Sequence, residues 1–206
     1  MPKNFTMSWS LFPPNTEEIQ FDEKWDFVQK KQKHCDENNP VDARCGDNWD
    51  HVAIDAEHKL VLEVVNGKRT EENTDLLVQN TAKRLKNKPP RLITSDEYKP
   101  YKKAILKAFG ERHVPPSTGL PGRPRGAFYV PTKDLVYATV HKTRENGRVT
   151  DISYRTVFGT EEQVAEALKL SKCSRCINTS FIERHNGTDR NRCSRKVRKS
   201  KRLFGN

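Results

Sequence analysis

Apolar and polar residues alternate from Glu17 to Val28. Ile19, Phe21, Trp25 and Phe27 stand against Gln20, Asp22, Lys24 and Asp26, the period-two pattern of a strand with an acid in its middle. A polar stretch over 29–48 follows as a loop. Residues 49–67 then read as two strands joined by a tight turn at Asp55 to His58, with Val52 and Ile54 answered by Leu60, Leu62 and Val64. From Thr70 to Lys86 the period changes to that of a helix, with a stripe of Leu77, Val78, Ala82 and Leu85 that Pro89 and Pro90 stop. Arg91 to Ser95 is a short buried strand that delivers Asp96 at its carboxyl end. Pro100 suits the first turn of a helix running to Phe109, before Gly110. The expected order is β-β-β-α-β-α.

Residues 114–133 carry turn and loop chemistry and lead into a hairpin whose Asn146-Gly147 pair is a strong tight-turn signal. Thr160 to Gln163 is a capping box that opens a helix through Leu170, and a last helix starts near Asn178 and carries Glu183 into a basic tail. The pattern predicts an α/β protein: a mixed sheet flanked by helices, with a β-hairpin insertion before the helix that bears Glu183. Its parts are an irregular leader over 1–16, a first core part over 17–113, loop and hairpin over 114–159, and a helical part over 160–206. A length of 206 residues suits one main domain.

With 33% hydrophobic and 32% charged residues the chain is polar, yet it keeps enough large apolar residues to fold. No run approaches a membrane span and the start has no signal-peptide pattern, so an intracellular protein, cytoplasmic and close to the nucleoid, is expected. Its five cysteines then read as thiols or metal ligands rather than a disulfide framework. Of the net +11, the stretch from Arg184 to Arg202 carries +8, nine basic residues against Asp189 alone. Charge gathered this way suits a polyanion, above all nucleic acid; a solvated basic tail is the plain alternative.

Three acids stand out by position: Asp22 inside a strand, Asp96 at a strand end and Glu183 at the start of a basic helix. An acid in an apolar strand is costly to bury unless a cation offsets it, and a divalent ion shared by several carboxylates does so. Such ions can clamp the attacking and leaving oxygens of a phosphodiester. Read by themselves, the three could equally be an edge-strand acid, a helix cap and a surface acid paired with Arg184. On one helix, Glu183, Asn186 and Arg190 share a face, which suits metal and phosphate together.

The words IQFDEKWDFV, DHVAIDAEHKLVLEVVNGKR, LITSDEYKPY and FIERHNGTDRNRCSRKVRK resemble, in this order, blocks of the DDE transposases of the insertion-sequence-one family. The resemblance spans Glu18 to Lys199. It implies a ribonuclease H-like fold and a metal-binding catalytic triad of Asp22, Asp96 and Glu183 holding Mg²⁺ or Mn²⁺. It also implies cutting and joining of DNA at transposon ends and targets, in a self-associated transposition complex. Arg184, Asn186, Arg190, Arg192, Arg195, Lys196, Arg198 and Lys199 are the expected DNA contacts, with Asn186 and Arg190 nearest the scissile phosphate. Members of that family usually begin with a zinc-binding and helix-turn-helix region and continue past the basic helix. The chain is therefore expected to be trimmed at both ends, with its activity put in question. The rival functions are a non-catalytic nucleic-acid-binding module and a ribonuclease H-like nuclease that cuts without joining.

Weaker signals remain. Cys173 and Cys176, with Cys193 and His185, are a poor zinc pattern, and Pro121 to Gly126 resembles the core of a minor-groove hook but suits a Pro-rich linker better. Asp55 competes for the role of first acid but fits a turn better.

Overall fold

The structure, a computed structural model, describes residues 15–116 and 126–193. The leader up to residue 14, the hook-like residues 121–125 and the tail from 194, with Arg195, Lys196, Arg198 and Lys199, lie outside the described residues. The alternating segment forms β1 (Glu18–Val28), and its two faces go to different helices. Ile19 and Phe21 share the main core with Leu77 and Val78 of α1 (Glu71–Arg84) and with Tyr101 and Ile105 of α2 (Pro100–Phe109). Gln20 and Asp22 face α4 (Ser180–Arg192), whose Ile182 packs on Val52 and Ile54 of β2 (Gly46–Asp55).

β1 pairs antiparallel with β2, which pairs antiparallel with β3 (Leu60–Gly67), and on its other side β1 runs parallel to β4 (Leu92–Asp96). A parallel pair needs a crossover, and α1 supplies the one from β3 to β4. The next crossover holds α2 and a small two-stranded sheet of β5 (Glu111–His113) and β6 (Phe128–Val130), of which β6 lies inside the stretch 114–133 expected to be loop. It leads to β7 (Tyr137–Glu145), parallel to β4 and antiparallel to β8 (Arg148–Phe158). The six-stranded order β3-β2-β1-β4-β7-β8 is a mixed sheet with helices on both faces, as the α/β expectation had it.

The predicted hairpin exists, turning at Asn146 (φ 50°) and Gly147 (φ 79°), where positive φ explains the Asn-Gly pair. Its place differs from expectation. Rather than an insertion set apart from the core, its first strand is the central sheet's fifth, and Leu135, Tyr137 and Phe158 join the main core. The alternation of this segment could show a strand pair but not the neighbour of its first strand. α3 (Glu161–Leu170) keeps the capping box between Thr160 and Gln163, and its Val164 and Ala167 pack on Leu92 and Val136. Asp55 is fully buried and accepts from the Thr16 hydroxyl at 2.7 Å and the His58 amide at 2.9 Å, a turn role. Among the described residues no helix is long and apolar enough to cross a membrane.

Candidate active site

At the centre of the sheet β4 ends beside the middle of its parallel neighbour β1, and there the acids meet. In the register Phe21 stands opposite Ser95, so Asp22 and Asp96, the next residues, lie on the same face, Asp22 midway along β1 and Asp96 at the carboxyl end of β4. Crevices at the carboxyl ends of parallel strands are where α/β sheets commonly bind ligands. Facing them is α4, held to the sheet by Gln20. The buried Gln20 amide donates to the Asn178 carbonyl at 2.9 Å, and its oxygen accepts the amides of Phe181 and Ile182 at 3.1 Å each. Thr94 donates to the same Asn178 carbonyl at 3.0 Å. Gln20 thereby does the capping work for a helix whose own N-cap side chain makes no cap bond. Gln20→Leu would bury two amides without acceptors, at a cost of about 1–3 kcal/mol each. Thermal denaturation of this variant is expected to show a lower midpoint, and an unchanged midpoint would refute the capping role.

Asp22, Glu23 and Asp96 each offer a carboxylate oxygen, and these oxygens lie within 4.8 Å of one another. Glu23, which sequence reasoning passed over, projects to the other face of β1, and past the end of β4 at Asp96 its longer arm reaches the group. Arg69 forks onto its Oε2 at 2.9 and 3.2 Å and lies over the Tyr98 ring. The third expected acid, Glu183, stands across the cleft outside this set. It accepts the Thr179 hydroxyl at 2.6 Å and pairs with Lys142 of β7.

Burial dominates the electrostatics. It pushes Asp22 up to about 6, helped by the charge of Asp96 and to a smaller extent of Glu183, against the hydrogen bond from the Asn186 amide (2.7 Å). Burial and Asp96 push Glu23 up to about 7, against the charge and hydrogen bonds of Arg69. Burial also raises Asp96, against the Tyr98 backbone amide and the charges of Arg69 and Lys142. The Glu23 side chain is only 1% exposed, and the Tyr101 hydroxyl lies beside it without completing a hydrogen bond. Among the described residues, Glu23 Oε1 and Asn186 Oδ1 are buried acceptors with no donor. Buried oxygens left this way beside close, repelling carboxylates fit a cation.

A cleft of about 740 Å³ opens over the group, lined by Asp22, Asp96 and Glu183 and by the cations Arg69, Lys142, Arg144 and Arg190. Of the expected DNA contacts, Arg190 lines this cleft, while Arg184 and Arg192 are exposed on α4. Asn186 is buried, and its amide is committed to Asp22, so it orients the acid. Glu183, Asn186 and Arg190 do line one cleft together. The cysteines form no converging metal set among the described residues, and the Cys173 thiol turns to Glu18 at 3.4 Å. Comparison with models of known families, with curated proteins and with solved structures finds no match, so the resemblance rests on the four sequence blocks alone.

Proposed function

We propose that this chain is the catalytic domain of a DNA transposase, which cuts and joins DNA phosphodiesters with Mg²⁺ or Mn²⁺. The observation that carries the reading is the convergence of Asp22 and Asp96 on one face, beside a buried Glu23, under a cleft walled by four cations. The strand order, with three antiparallel strands continued by parallel β4 and β7, is compatible with a ribonuclease H-like fold. Asp22, Glu23 and Asp96 would hold the cation, with Glu183 the acid across the cleft. A divalent ion there supplies charge stabilisation for the phosphoryl oxygens and a more acidic water. The chain's own residues do the positioning: Asn186 fixes the Asp22 carboxylate, Arg69 fixes Glu23, and Arg144 and Arg190 face the backbone phosphates.

Incubation of the purified chain with supercoiled plasmid and labelled duplex ends tests this reading. Nicking that requires Mg²⁺ or Mn²⁺ is expected, together with joined products; nicking without joining would leave a nuclease, and the absence of both products would overturn the reading. Log affinity for duplex DNA is expected to fall linearly with log salt, with a slope near −0.9 per phosphate neutralised. A flat salt response would remove DNA as the partner.

A further inference from the structure

We infer that Lys142 is a positioning residue for a backbone phosphate of the DNA, held on Glu183 until cation and phosphate arrive. The inference rests on the function proposed above and deepens it. β4 ends at Asp96, opposite Val140, while β7 continues to Glu145 paired only with β8. Beyond Val140 the inner edge of β7 is therefore open over the cleft. Side chains two apart on a strand share a face, so Lys142 points to the side of Asp96 and Val140, and Lys142 and Arg144 both line the cleft.

Lys142 bonds to the Glu183 carboxylate and lies 3.4 Å from the Thr179 hydroxyl. The pair is half open to water, with side-chain exposures of 24% for Lys142 and 48% for Glu183, and an ion pair this wet holds its partners weakly. It also sits within the field of the site, since Lys142 lowers, and Glu183 raises, the proton affinity of Asp96. A divalent ion at Asp22 and Asp96 attracts Glu183 and repels Lys142. A phosphodiester in the same cleft attracts Lys142. Both partners thus exchange for stronger ones: the carboxylate turns toward the cation and the ammonium toward a phosphate oxygen. Arg144, farther along the open edge, is placed for the neighbouring phosphate. The exchange moves no covalent bond and leaves the charge balanced.

The test uses the full chain and its Lys142→Met and Lys142→Arg variants, with Mn²⁺ binding read by calorimetry without DNA and duplex binding read across a salt titration. Removal of the competing charge is expected to tighten Mn²⁺ binding in Lys142→Met by about fivefold, the effect of a unit charge ~8 Å from a divalent ion in water. The same variant should lose about 0.9 from the salt slope, one phosphate contact, and Lys142→Arg should restore it. A residue that merely braced α4 would weaken Mn²⁺ binding when removed, and that result, or an unchanged salt slope, overturns the assignment. If the wild-type chain binds Mn²⁺ and Asp96→Asn does not, the site stands whatever Lys142 does. If wild type binds none, the cation reading falls and this inference with it.

Discussion

Asp96→Asn is expected to abolish metal-dependent nicking while duplex affinity stays level or rises. Asp96 is the hub of the site: its charge raises both Asp22 and Glu23, and Arg69, Lys142 and Glu183 all act on it. Asparagine keeps the size and the acceptor for the Tyr98 amide, now 3.1 Å away, so the turn into α2 survives. What is lost is the charge with which Asp96 would hold the proposed cation. Removing one member of a catalytic set that acts as a unit costs on the order of 10⁴–10⁶ in rate. Loss of a negative charge cannot weaken attraction to phosphate, so binding and cutting should separate. A gel assay of plasmid nicking beside a filter-binding titration measures both, and nicking at the wild-type rate would assign the activity to other residues.

In chelator, the folded protein should lose stability as pH rises from about 4 to 7, and Mn²⁺ should return it. The folded state keeps protons on Asp22 up to about 6 and on Glu23 up to about 7, whereas the unfolded chain releases them near 3.8 and 4.5. Across that window the native state binds more protons, so stability falls with rising pH. For Asp22 the fall is on the order of 3 kcal/mol, with 1.36 kcal/mol per tenfold change in acidity. A chain of this size changes its midpoint by about 2–4 °C per kcal/mol, so roughly 6–12 °C is at stake. His51, buried and kept neutral, works in the opposite sense near its ordinary value of 6.5. The lowered carboxyls of Asp42, Glu72 and Glu162 act only in more acid solution. The difference between wild type and Asp22→Asn is therefore the measure: the variant should be the more stable at pH 8 in chelator and should gain less from Mn²⁺. Parallel pH profiles for the two proteins would show that Asp22 is not under strain.

The alternation of Ile19 and Phe21 with Gln20 and Asp22 made β1 readable, because a two-residue period needs no knowledge of neighbours. Thr70, Thr160 and Asn146-Gly147 did the same for two helix starts and a turn. Pairing across the sheet is another matter, since nothing in residues 137–145 says that β7 lies against β4. Treating that segment as an insertion hid Lys142 and Arg144 from view. Glu23 was overlooked for a related reason: alternation sends it to the face opposite Asp22, and only the end of β4 lets the two carboxylates meet. Gln20 and Thr94, polar in strands, are fully buried against α4, and alternation alone does not name the helix they meet. Their partners are 158 and 84 residues away, a distance over which local pattern has no reach.

That reach across the chain also sets a time order. The site joins β1 to α4, with Asp22 and Asn186 separated by 164 positions. Contacts so remote in sequence form late, because the closure entropy of a long loop must be met before they repay it. On a ribosome adding about 5–20 residues each second, β1 to β4 can pair many seconds before α4 is made. During that interval Asp22 lacks Asn186, and the wall of the cleft that carries Glu183 and Arg190 does not yet exist. A nascent chain would hold its carboxylates without the helix that arranges them until α4 itself had been made.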